Sequence, residues 1–270
     1  MNTFHIMKFI FNFITGQCAN SRSALSRSMA NPVAVVYCGA ASPEDSECPA
    51  AVQEALGSHF EVVFAGDHCD MDVPTALATL QPAIYIQPGG GDDMAEAWAA
   101  VGPVKSAIRE YVRGGGRYVG ICMGAFLSSK GAEDDDFEGF DLLSEAGWDA
   151  HDYKETEGAD VTDMNQTLVE VEWRSNNARI FFQGGPSFVK LPAEQVTGRV
   201  AGEVLATYTN GDAAAIVVPF GDGKVGVIGP HPEATKSWYA DVVNDGGPEG
   251  EPVHDLFLDL ISATLSETEL

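Results

Sequence analysis

From Pro32 onward the chain alternates short apolar runs with stretches of helical spacing, and that alternation leaves few architectures open. "PVAVVYCG" reads as a buried strand ending on glycine, and "CPAAVQEALGS" as a helix that stops at Gly57. "FEVVFAGD" is a second strand, "VPTALATL" a short helix entered through a proline, and "AIYIQPGGGDD" a third strand running into a glycine turn. "MAEAWAAVGPVKSAIREYVRGGG" holds one or two helices broken around Gly102 and Pro103, and "RYVGICMG" is a fourth strand feeding a helix at "AFLSS". Such alternation predicts an α/β fold: a doubly wound, mostly parallel sheet with helices on both faces and right-handed crossovers. The second half is richer in strands: "TLVEVEW", "ARIFFQGG", "GRVAGEVLATY", "AAAIVVPF" and "KVGVIGPH". Turn residues at Asn210–Gly211 and Gly221–Asp222–Gly223 predict hairpins, hence antiparallel additions to the same sheet, closed by a helix from Val253 to about Leu265. No internal repeat is visible, so residues 31–270 are expected to form one domain.

Residues 1–30 have a different character. No Asp or Glu precedes Glu44, while Lys8, Arg22 and Arg27 are basic and the segment is rich in serine. A targeting segment and a disordered leader both fit that composition. The apolar patch from Phe9 to Ile14 is too short to span a bilayer. The whole chain carries 40 acidic and 15 basic side chains, a formal net charge of −25. A surface so negative repels nucleic acid and anionic lipid, which excludes both as partners. The five cysteines form no CxxC pair, which argues against a disulfide framework or a structural zinc site and for a reducing compartment. A cytoplasmic location is expected, with an organelle or export as the alternative that residues 1–30 would direct.

Ligands of open parallel sheets bind outside the carboxyl ends of the strands. Three unusual sequences are predicted to reach that edge: "PGGGDD" at 88–93, "GICMG" at 120–124 and "GPHPE" at 229–233. The second fits a nucleophile elbow, in which a sharp strand-to-helix turn lifts a nucleophile clear of the backbone. Gly120 and Gly124 would remove side chains that collide where strand meets helix, and Cys122 would stand at a helix N-terminus, where the macrodipole favours the attacking thiolate. Taken alone, the pattern also suits a packed core cysteine. His231 follows an apolar run and should emerge beside that turn, with Glu233 two residues on to hold its tautomer. Gly89, Gly90 and Gly91 can bring backbone N–H groups close to a developing oxyanion, and Met123 supplies the N–H just after the nucleophile. A phosphate loop is disfavoured, since Asp92 and Asp93 follow the glycines and no Gly-Lys-Ser/Thr occurs.

At these residues the chain resembles the superfamily of triad glutamine amidotransferase domains, which have a flavodoxin-like fold. "GICMG" matches the elbow, "PGGG" the oxyanion strand and "HPE" the His-Pro-Glu motif. "YIQPGGGDD", "IREYVRGGGRYVGICMGAFLSS" and "ARIFFQGGPSF" are similar to the amidotransferase-like domain at the N-terminus of fungal biotin–protein ligases, which also occurs alone. The resemblance implies Cys122 as nucleophile, His231 as base, Glu233 as the acid that orients it, and Gly90 and Met123 as oxyanion donors. Two departures accompany it. Gly124 is followed by Ala125 and Phe126 where amidotransferases usually carry a glutamine that contacts substrate, which argues against glutamine as the substrate. The chain also has no GRGRRG-type segment, so biotin transfer is not expected of it.

The combined expectation is a cysteine hydrolase acting on an amide, ester or peptide carbonyl through a Cys122 thioester. It would need no cofactor and no metal; its partners would be a small-molecule or peptide substrate, with a synthase partner or a homo-oligomer as further options. The alternative is a small-molecule-binding or regulatory module that keeps the architecture without turnover. Gly184, Gly185 and Phe182 are candidate pocket residues, although the aromatic also suits a core position. "DHCDMD" at 67–72 lacks a second ligand group for a metal, and "EDDDFE" at 133–138 lacks the spacing of a calcium loop.

Overall fold

Four short apolar strands build the parallel half of the sheet: β1 (Val33–Tyr37), β2 (Glu61–Ala65), β3 (Ile84–Gln87) and β4 (Arg117–Ile121). The computed structural model describes residues 31–43, 46–91, 93–131, 137–196 and 200–267. The leader expected at residues 1–30 lies outside them, as does most of the acidic run at 133–138. Alternate side chains of a strand point to opposite faces, so strands that are apolar throughout need cover on both. On one face lie α2 (Val73–Leu80), α3 (Met94–Val101) and α4 (Lys105–Arg113), where Leu77, Val101 and Ile108 share a core with Val35, Tyr85 and Tyr118. On the other lie α1 (Cys48–Leu56) and α7 (His254–Leu265), where Val52, Phe257 and Leu260 share a core with Val36, Ile86 and Ile121. The helix starts are set locally. Asp72 accepts from the Thr75 N–H at 2.7 Å to cap α2, and Asp93 accepts from the Glu96 N–H at 2.9 Å to cap α3.

The second half adds β5 (Trp148–Asp152), β6 (Thr167–Trp173), β7 (Asn176–Phe182), β8 (Pro186–Lys190), β9 (Glu203–Tyr208), β10 (Ala213–Phe220) and β11 (Gly223–Ile228). The main path of the sheet runs β2-β1-β3-β4-β11-β10-β9-β6-β7, with β8 bridging β10 and β5. The pairs from β2 to β11 are parallel, and those beyond β11 are antiparallel. The fold is therefore α/β with a mixed sheet, parallel in its N-terminal strands and antiparallel in the C-terminal ones. The hairpins expected at Asn210–Gly211 and Gly221–Asp222–Gly223 join β9 to β10 and β10 to β11. No helix among the described residues is long and apolar enough to cross a membrane.

Three elements were not visible in the sequence. In β5, "WDAHD" carries three polar residues in five, so it reads as a loop until β8 pairs with it. β8 opens on Pro186, a residue that argues against a strand except at a strand's first position. Helix α6 (Lys236–Asn244) has no side-chain cap and follows a loop motif, so only its packing through Trp238, Tyr239 and Val242 marks it. Helix α5 (Met123–Leu127) also begins two residues earlier than expected, directly after Cys122.

The strand order places a topological switch point between β1 and β3. After β1 the chain moves outward to β2 and then returns to the other side of β1 for β3. Crevices of this kind, at the carboxyl ends of the strands, are where such sheets hold ligands.

Candidate active site

Cys122 links β4 to α5 with φ 50° and ψ −110°, a conformation that a residue with a side chain adopts only under constraint. The constraint is visible. Its N–H donates to the Ile228 carbonyl at 2.9 Å, and its own carbonyl accepts from the N–H groups of Ala125 and Phe126 at 2.9 and 3.0 Å. The flanking glycines are a packing requirement. A Cβ on Gly120 would lie 2.4 Å from the Gly124 carbonyl oxygen, and one on Gly124 would lie 2.0 Å from the Gln87 carbonyl oxygen. The turn closes only because both are absent.

Adjacent to β4 in the sheet, β11 ends at Ile228 and the chain continues through Gly229 and Pro230 to His231. The His231 N–H donates to the Phe181 carbonyl at 2.8 Å, which ties this loop to β7. The imidazole Nδ1 meets Glu233 Oε1 at 2.9 Å, and Phe181 and Trp238 pack edge-to-face against the ring at 5.8 and 5.5 Å. With Nδ1–H donated to the carboxylate, Nε2 is left for the sulfur side. Both groups are removed from water, His231 at 4 % exposure and Glu233 at 0 %. Burial alone would lower the imidazole pKa. The Glu233 carboxylate, and after it the neighbouring Cys122 sulfur, outweigh it and push His231 up to about 10. The other carboxylate oxygen of Glu233, Oε2, has no partner among the described residues, so the imidazole is this buried charge's main compensation.

The remaining expected residues fall around this centre. Cys122 is 8 % exposed, and its thiol donates to the Gly184 carbonyl at 3.6 Å. Gly185 follows at φ 141°, where a Cβ would lie 2.4 Å from the Gly229 carbonyl oxygen, so the 184–185 turn presses on the histidine loop. Phe182 corrects the pocket expectation. It is fully buried, packs edge-to-face on Tyr153 and Tyr208, and shares a core cluster with Cys122, so it supports the site from below. Its neighbour Phe181 is the aromatic that meets the histidine. Gly89 is buried, Gly90 half-buried and Gly91 exposed. Among the described residues, neither the Gly90 nor the Met123 N–H finds an acceptor.

Sequence reasoning missed Cys48. A Cβ on Gly89 would lie 2.7 Å from His231 Cε1 and 3.2 Å from Cys48 Sγ, so thiol and imidazole both border the space over that glycine. Nothing near Cys48 in the chain signals this, because the approach depends on α1 folding back beside the histidine loop. The residues of "DHCDMD" have other roles. Asp67 accepts from the Tyr37 hydroxyl at 2.6 Å and the Ala40 N–H at 3.2 Å, while Asp72 caps α2. Among the described residues, no group of three or more His, Cys, Asp or Glu is placed to hold a metal.

The family described as "Biotin-protein ligase, N terminal" matches residues 33–256. Among solved structures, PurLQS from Thermotoga maritima superposes with a TM-score of 0.51 at 17 % identity, covering 86 % of this chain and 98 % of that one. A glutamine amidotransferase gives 0.51 at 18 % identity, covering 86 % of this chain and 100 % of that one. A second one, from Thermotoga maritima, gives 0.52 at 12 % identity, covering 88 % of this chain and 100 % of that one. At such identities the likeness shows the fold alone. No curated protein matches the sequence. The chain thus belongs to the biotin–protein ligase N-terminal domain family and has a class I glutamine amidotransferase-like fold.

Proposed function

We propose that the protein is a cysteine hydrolase that attacks an amide, ester or peptide carbonyl through Cys122. The observation that carries this reading is the elbow cysteine, held at φ 50°, beside a buried His231–Glu233 pair. The reacting pair is the Cys122 thiolate and the His231 imidazolium: as Sγ bonds to the carbonyl carbon, the carbonyl π electrons move onto oxygen while His231 keeps its Nε2 proton. Among the described residues the Gly90 and Met123 N–H groups have no acceptor, which fits them to receive that oxyanion. Collapse expels the amine or alcohol, which takes the proton from His231 and leaves a thioester that water hydrolyses by the same steps. An imidazole pushed up to about 10 holds that proton readily until the leaving group needs it. The protein's own side chains and backbone supply every step.

The second reading is a binding module without turnover. It is favoured by the small exposure of the thiol and its hydrogen bond to the Gly184 carbonyl. Covalent trapping separates the two. With p-nitrophenyl acetate, the catalytic reading expects a hydroxylamine-sensitive acetyl group on Cys122, formed faster than on the more exposed Cys38 and Cys69. Acetylation of Cys122 no faster than of those two would remove the catalytic reading and leave the binding module.

A further inference from the structure

We infer that Ser42 is the positioning residue that aims the Gly90 N–H into the site; this rests on the proposed thioester chemistry. Ser42 is a fully buried hydroxyl in the turn after β1, and it donates to the Gly89 carbonyl oxygen at 2.5 Å. In a trans peptide the carbonyl and the following N–H point in opposite directions. Fixing the Gly89 carbonyl toward Ser42 therefore directs the Gly90 N–H away from it. The strand order says where that direction leads. Ser42 follows β1, Gly89 follows β3 and Cys122 follows β4, and these strands are consecutive neighbours in the sheet. The glycine turn thus has Ser42 on one flank and Cys122 on the other, across the switch-point crevice. The freedom of the Gly90 N–H from any acceptor among the described residues fits a donor kept for a ligand.

The turn that carries Ser42 is itself anchored. Ser42 N–H closes it on the Gly39 carbonyl at 2.9 Å. The Ala41 N–H donates to the Tyr37 hydroxyl at 3.3 Å, and that hydroxyl donates to Asp67 Oδ1 at 2.6 Å. A Cβ on Gly90 would lie 2.1 Å from the Ala41 carbonyl oxygen, so the two turns are in close contact. A glycine turn has little conformational preference of its own. The Ser42 hydrogen bond supplies an orientation that the glycines do not.

Two reactions of the same sulfur test this. Alkylation by iodoacetamide develops no oxyanion, whereas acetylation by p-nitrophenyl acetate does. Both rates are followed at Cys122 by mass spectrometry in the parent, Ser42→Ala and Ser42→Thr. In Ser42→Ala, acetylation should fall about tenfold or more while alkylation stays within about twofold, since a lost oxyanion donor costs more than that in known acyl transfer. Ser42→Thr, which keeps the hydroxyl, should restore most of the loss. Equal acetylation in Ser42→Ala and parent, or a parallel fall of both rates, overturns the inference. A parent with no preferential acetylation at Cys122 overturns the catalytic reading and this inference together. If Ser42→Ala opens the structure, seen as new alkylation of buried Cys48, Tyr37→Phe decides. It removes the anchor and keeps the Ser42 hydroxyl, and it must then show the same selective loss.

Discussion

Two buried thiols lie near the same imidazole, Cys122 at the start of α5 and Cys48 at the start of α1, and they differ in what surrounds them. Cys48 sits in an apolar cluster with Ala51, Phe181 and Trp238. Burial pushes its thiol well above the usual range, and the Glu233 charge pushes it further. Cys122 is lifted onto a strained turn with Gly184 and His231 around its sulfur. Position at a helix N-terminus is common to both, so it does not distinguish them. Under the proposed thioester chemistry, reactivity would follow which side of the His231–Glu233 pair a sulfur faces. One side offers the imidazole Nε2; the other offers the carboxylate's charge and apolar walls.

The largest effect should come from removing the imidazole. His231→Ala should slow iodoacetamide alkylation of Cys122 at neutral pH by about tenfold or more, because it removes the imidazolium that favours the thiolate, and leave Cys48 as slow as before. A Cys122 rate that survives the substitution would erase the distinction between the two thiols. Gly89→Ala sharpens the comparison from between them, because its Cβ would lie 2.7 Å from His231 Cε1 and 3.2 Å from Cys48 Sγ. Overpacking of this kind costs about 1–3 kcal/mol. The expected outcome is a lower denaturation midpoint together with slower Cys122 alkylation.

Stability should also depend on pH in a particular direction. His231 rises from 6.5 to about 10 on folding, so its contribution is fully present below pH 6.5 and is lost as pH climbs through about 10. Urea midpoints measured across that window should fall in the parent and stay flatter in His231→Ala. The smallest effect is expected for Cys48→Ala. It should cost about 1 kcal/mol for the lost buried sulfur and change the Cys122 alkylation rate by no more than about twofold. A larger change in rate would place Cys48 within the reacting group.

Much of this was legible in the chain because the signals are local. Apolar runs of four or five residues, helix stops such as Gly57 and the hairpin turns at Asn210–Gly211 and Gly221–Asp222–Gly223 are backbone preferences readable from neighbours. Elements whose stability comes from a partner stayed hidden. β5, with three polar residues in five, is held as a strand by its pairing with β8, and α6, which has no side-chain cap, is held by Trp238 and Tyr239 packing on Phe181.

The candidate site divides along the same line. The sequence by itself determined the three glycine-, cysteine- and histidine-bearing turns, since sharp turns demand particular residues within a few positions of one another. Only the tertiary structure decided that Cys48 reaches the histidine, that Phe181 and not Phe182 meets the ring, and that Ser42 holds the Gly89 carbonyl. Those contacts join residues from different strands and helices. Their distances follow from sheet order and helix packing, which no stretch of neighbouring residues encodes.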